Sequence, residues 1–177
     1  MTPLIRCLTI LFLLSFVSAC SKTEPTPATP APPPTPATAK TVTSESVVKV
    51  NAQPVEISAG GSADATVQLT IQAGYHVNAN PPTFPYLRPT TLAVPPADGI
   101  KVGFITYPKP LNKTFPFAEK PLAIYEGETE VKVNLKSDKT AQLGQRSIPA
   151  TLSIQACDDQ VCYAPGKLEL SIPINIK

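Results

Sequence analysis

From residue 42 onward apolar side chains recur at every second position, the period of a strand with one buried face rather than the 3.6 of a helix. Val67-Leu69-Ile71, Val131-Val133-Leu135, Ile148-Ala150-Leu152-Ile154-Ala156 and Leu168-Leu170-Ile172-Ile174-Ile176 each alternate with mostly polar neighbours. Shorter strands are predicted over Ser46–Val50, Pro54–Ile57, Thr90–Val94, Lys101–Tyr107 and Pro121–Tyr125, with turn signals at Gly60-Gly61, Ala97-Asp98-Gly99 and Glu126-Gly127. One-sided apolar faces on short antiparallel strands are buried most simply by laying two sheets face to face, so residues 42–177 are expected to form an all-β sandwich. Proline cannot donate to a strand ladder, so Pro149 and Pro173, on the outward phase of long strands, are expected at edge positions or bulges. The segment 81–121 holds ten prolines and reads as stiff loops that cover something.

The N-terminal part follows another pattern. Arg6 and the apolar run Leu8–Val17 read as a secretory signal over residues 1–19, too short to be a stable membrane span. Val17-Ser18-Ala19-Cys20 resembles the lipobox of bacterial lipoproteins, which implies cleavage before Cys20 and acylation of that residue; the competing reading is a plain secretory signal. Ser21 after the lipid-bearing cysteine suggests, by the same resemblance, the outer rather than the inner membrane. Residues 20–41 then read as the acylated cysteine and a Pro/Thr/Ala-rich tether, with seven prolines between Ser21 and Thr41 and no apolar side chain larger than alanine. Polyproline II at about 3.1 Å per residue would let such a spacer hold a domain up to about 60 Å from a bilayer. An SH3-type ligand is the rival reading of the tract.

The 42–177 region carries 12 Lys/Arg and 12 Asp/Glu, so it lacks the basic field that holds nucleic acid. A chain with one histidine has no multi-histidine metal centre, and no Gly-rich phosphate loop follows a strand. Neither a metal nor another cofactor is expected, although His76 with two thiols leaves a weaker reading as a metal-handling set. The acids around Glu126, Glu128 and Glu130 read as a solvated hairpin end.

Cysteine usage carries the chemistry. With Cys7 lost in the signal and Cys20 consumed by lipid, only Cys157 and Cys162 remain, in an oxidising compartment where a nearby pair forms a disulfide. They straddle the expected turn between the strands 148–156 and 168–176. Closing so short a loop removes only about 2 kcal/mol of unfolded-chain entropy, a small gain for a sandwich of this size. The pair therefore reads more naturally as a bond that opens and closes than as a staple. Asp158 and Asp159 lie beside the sulfurs, and their charge disfavours a thiolate, so fast exchange would need specific docking. A protonated His76 near Cys162 would offset them.

Gly74-Tyr75-His76-Val77-Asn78-Ala79-Asn80-Pro81, Tyr107-Pro108 with the loop running to Ile124-Tyr125-Glu126-Gly127, and above all Ile154-Gln155-Ala156-Cys157-Asp158-Asp159-Gln160-Val161-Cys162-Tyr163-Ala164-Pro165 resemble the periplasmic N-terminal domain of DsbD, a thiol:disulfide interchange protein. The resemblance spans about residues 46–176 and implies an immunoglobulin-like antiparallel β-sandwich. It further implies that Cys162 is the attacking thiol, that Cys157 resolves the mixed disulfide, and that a cap loop within Pro108–Lys120 shields the pair through Phe115 or Phe117. Here four residues separate the cysteines where the best-known member has five, and His76 and Asn78 stand where that member has two tyrosines. The membrane domain and the thioredoxin domain of full-length DsbD have no counterpart in this sequence.

Together these readings give a membrane-tethered, periplasm-facing module for thiol-disulfide exchange. Its expected partners are a thioredoxin-like or DsbD-type redox protein and an oxidised protein client. The rival reading is a non-catalytic immunoglobulin-like binding or assembly lipoprotein with a structural bridge.

Overall fold

The alternating segments fold as the long strands of the domain, and their apolar phases face one another. The computed structural model describes residues 41–177; the signal segment, Cys7, Cys20 and the tether up to residue 40 lie outside the described residues. The strands are β1 (Val48–Ala52), β2 (Val55–Ile57), β3 (Ser62–Ile71), β4 (His76–Asn78), β5 (Thr91–Ala93), β6 (Ile100–Thr106), β7 (Leu111–Lys113), β8 (Leu122–Tyr125), β9 (Glu128–Ser137), β10 (Gly144–Ile154), β11 (Ala156–Cys157) and β12 (Gly166–Ile176). They form three four-stranded sheets in the orders β1-β3-β9-β6, β2-β12-β10-β5 and β11-β4-β8-β7. Val67, Leu69, Val131, Val133 and Leu135 of the first sheet share one buried cluster with Ile148, Leu152, Ile172 and Ile174 of the second. That shared core makes the fold the expected immunoglobulin-like β-sandwich.

Three features depart from the sequence reading. A third sheet is present, built largely from strands of two to four residues, too short to show any period. The pairing of β2 with β12 is parallel, whereas every other ladder is antiparallel. The segment expected as one strand from Ile148 to Ala156 breaks at Gln155: β10 stays in the second sheet and β11 moves into the third. Pro149 and Pro173 do lie on stretches paired on one side only, because β5 meets β10 from Thr151 to Ser153 and β2 meets β12 from Ile174 onward.

The proline-rich segment covers the third sheet. Phe115, Leu122 and Ile124 form a small buried cluster of their own, with Phe84, Leu87 and Ala118 packed around it. At the other end of the chain a 3₁₀ turn, Ser44–Ser46, precedes β1, and the Thr43 hydroxyl accepts from the Ser46 N–H to cap it. No helix among the described residues is long and apolar enough to cross a membrane.

Candidate thiol-disulfide site

Cys157 ends β11, and its backbone bridges to Cys162 on the returning arm. The two form a disulfide, with Cα atoms 3.9 Å apart, well inside the limit of about 7 Å that bridging needs. Asp158 makes the turn between them. Its Oδ1 accepts from the N–H groups of Gln160 and Val161, each at 2.8 Å, and its Oδ2 accepts from the Tyr163 hydroxyl at 2.6 Å. Aspartate suits this place because its short side chain can take up backbone donors two and three residues on. The Tyr163 hydroxyl, with the two amides, holds the Asp158 carboxyl below the usual carboxylate range. The same bond pushes the Tyr163 phenol up to about 12.

The two sulfurs occupy unlike surroundings. Cys157 is wholly buried. Cys162 is only half-buried and lines a groove of about 570 Å³ with Phe84, Tyr86, Leu87, Phe117 and Leu122. The rings of Phe84 and Tyr86 stack 5.2 Å apart, and Tyr86 is 73% exposed, so one wall of this groove is an aromatic surface open to solvent. Nothing in the sequence context of Phe84 and Tyr86 distinguishes a groove wall from a loop filling.

His76 lies directly opposite Cys157 in the β4–β11 ladder. Side chains of directly opposed residues project from the same face of a sheet, with Cβ atoms about 4.5–5.5 Å apart. The imidazole is almost fully buried, and its Nε2 has no hydrogen-bond partner. Phe115 covers it at 4.4 Å between ring centroids. Desolvation holds its pKa below the ordinary value; Lys113 acts in the same direction, while Glu126, Asp159 and Asp158 oppose it. Burial thus works against the protonated ring that would offset the charges of Asp158 and Asp159.

The remaining candidates have separable roles in the geometry. Phe115, within the expected cap segment, is buried and stacks on both His76 and Phe117, while Phe117 is 48% exposed at the groove. Asp159 is exposed and lies 3.8 Å from Lys113, whose ammonium also meets Glu126 at 2.8 Å. Asn78 is fully buried and anchors the following loop: its Nδ2 donates to the Arg88 carbonyl at 3.2 Å, and Gln155 Oε1 is at 3.5 Å. Ser44 escaped the sequence reading. Its Oγ accepts from the Ala156 N–H at 3.0 Å and donates to the Ala164 carbonyl at 2.6 Å, clasping both arms of the hairpin. The signal for it was faint, a Thr43-to-Ser46 capping pattern that places a turn there but says nothing of what the residue inside it touches.

The family model "Thiol:disulfide interchange protein DsbD, N-terminal" matches residues 43–172. Among solved structures, the N-terminal periplasmic domain of ScsB from Proteus mirabilis is similar at a TM-score of 0.52 and 15% identity, over 71% of this chain and 46% of that one. This chain thus spans about half the length of that structure. The CssB subunit of colonization factor CS6 from enterotoxigenic Escherichia coli, complemented with a donor strand from CssA, is similar at a TM-score of 0.41 and 12% identity, over 75% of this chain and 99% of that one. No curated protein matches the sequence. The match to the family model covers the sandwich and reaches through the hairpin that carries both sulfurs, and the chain belongs to the family of the N-terminal domain of the thiol:disulfide interchange protein DsbD.

Proposed function

We propose that the domain relays reducing equivalents in the periplasm, taking them from a thioredoxin-like or DsbD-type redox protein and passing them to an oxidised protein client. In the reduced domain the Cys162 thiolate attacks a client disulfide; one client sulfur leaves and a mixed disulfide forms. Cys157 then attacks Cys162 Sγ, closing the Cys157–Cys162 bond and releasing the second client sulfur as a thiol. The observation that carries this reading is the unequal exposure of the pair, with Cys162 open at an aromatic groove and Cys157 sealed behind it. A resolving thiol sheltered from solvent meets only the mixed disulfide beside it. We also propose that Cys20 carries a lipid anchor holding the domain at the periplasmic face of a membrane, the outer one by preference.

A Cys157→Ala variant expressed in cells should accumulate a disulfide-linked partner through Cys162, and a Cys162→Ala variant should accumulate none. Should the purified domain keep its disulfide in the presence of a reduced thioredoxin-like protein, the bridge is structural and the binding-module reading replaces this one. A Cys20→Ala variant should leave the membrane fraction.

A further inference from the structure

Cys157 must lose a proton when it attacks, and it sits where water does not reach. Its exposure is 0%, so neither hydroxide nor buffer can take the proton directly. The acceptor has to be a side chain already inside. Asp158 is adjacent in sequence but is spoken for: Oδ1 holds two backbone N–H groups and Oδ2 holds the Tyr163 hydroxyl, bonds that also make it a weak base. Asp159 is exposed and faces Lys113. Glu126 is bound by the same lysine.

His76 remains. It is the direct cross-strand neighbour of Cys157, its side chain leaves the sheet on the same face, and its Nε2 is buried without a partner. A buried polar atom with nothing to bond is costly, so its retention here calls for an explanation. In the disulfide form Cys157 has no proton to offer; in the dithiol form it has one.

We propose that His76 Nε2 accepts the proton of the Cys157 thiol when Cys157 resolves the mixed disulfide at Cys162. This rests on the exchange reading given above. The electron pair of the Cys157 S–H bond forms the Cys157–Cys162 bond, the Cys162–client bond breaks, and the client sulfur departs with that bond's electron pair. The proton on Nε2 then passes to the departing client thiolate, which restores the neutral ring. Groups facing the imidazole are Lys113 from β7, Glu126 after β8, and Asp158 and Asp159 from the hairpin turn, with Phe115 closing the apolar side. The lysine helps to keep the resting ring unprotonated, and the acids help it to hold a proton once transferred.

The test follows the two sulfurs separately. The processed protein is reduced and mixed with 5,5′-dithiobis(2-nitrobenzoate); attack by Cys162 releases the first thionitrobenzoate, and resolution by Cys157 releases the second. In the wild type the second phase should change less than twofold between pH 6.5 and pH 8, because burial keeps the acceptor's pKa below 6.5. In His76→Gln the first phase should be unchanged, whereas the second should slow at least tenfold at pH 6.5 and climb about tenfold per pH unit with the thiolate fraction. A second phase of the same rate and pH profile in both proteins would overturn the assignment. Absence of any mixed disulfide in the wild type would instead overturn the exchange reading and this step with it. A readout free of any substitution is the ¹H–¹⁵N spectrum of the ring in the wild-type protein: Nε2 should be unprotonated in the dithiol form and shift on oxidation, and a proton on Nε2 of the dithiol form would exclude it as acceptor.

Discussion

The ring of Phe115 lies over that of His76 with centroids 4.4 Å apart and planes 28° from parallel. Phe115 belongs to the small cluster that the proline-rich segment lays on the third sheet, so it shields the histidine without contributing to the main core. Phe115→Ala should cost about 3 kcal/mol of stability, as buried Phe→Ala changes do, and should speed reduction of the disulfide by dithiothreitol several-fold. Urea denaturation reads the first and the rate of thiol appearance the second. An unchanged reduction rate would mean that Phe115 packs but does not shield.

Burial of His76 gives the domain a pH dependence of definite sign. In the unfolded chain the imidazole takes up its proton near pH 6.5, whereas in the folded domain it does so only at lower pH. Between those two values the unfolded state binds more protons, so stability falls as pH drops below about 6.5 and levels off once the folded form is also protonated. The slope cannot exceed about 1.4 kcal/mol per pH unit for one group. Denaturation midpoints from pH 7.5 down to pH 5 should show this decline in the wild type and lack it in His76→Gln. Asp158, whose pKa is also depressed, contributes a loss of the same sign in a lower window, starting near its ordinary value of 3.8.

The unequal exposure of the two sulfurs sets their reactivity once the bond is open. In the reduced protein Cys162 should react with iodoacetamide at least tenfold faster than Cys157, as read by mass spectrometry of quenched samples. Equal rates would show that reduction uncovers the inner thiol.

How far the molecule was legible in advance depended on strand length. In β3, β9, β10 and β12, of ten or eleven residues, alternation runs long enough to announce itself, and the buried positions follow it. By contrast β4 is His76-Val77-Asn78 with all three residues buried, so it offers no alternation to read. That is also why the histidine's neighbour could not be foreseen: which residue lies across from it depends on a register between a three-residue and a two-residue strand. The cysteine pair was visible because its spacing and hairpin position suffice to bring the sulfurs together. The groove at which Cys162 opens is lined by loops far away in sequence, notably Phe84–Leu87 and Phe117–Glu119, which no local pattern announces. The parallel β2–β12 pairing was equally out of reach, since nothing local encodes the direction of a distant partner.

Ser44 makes a compact test of how the hairpin is held. Ser44→Ala leaves the buried Ala156 N–H without its acceptor and should cost about 1–3 kcal/mol. The same change should raise amide exchange across Ala156–Ala164, because the Ala164 carbonyl loses its donor as well. Hydrogen-exchange mass spectrometry of the oxidised domain reads the effect. Exchange unchanged in that stretch would show that the ladder alone keeps the hairpin in place.

The same clasp has a mechanical side. Ser44 stands only three residues past the start of the described chain, yet it grips both limbs of the turn that carries the sulfurs. Tension arriving along the polypeptide from its amino-terminal end therefore loads that grip and the β1–β3 ladder before it reaches the sulfur–sulfur bond. A tug strong enough to break the clasp would be felt at the hairpin before the body of the sandwich gave way.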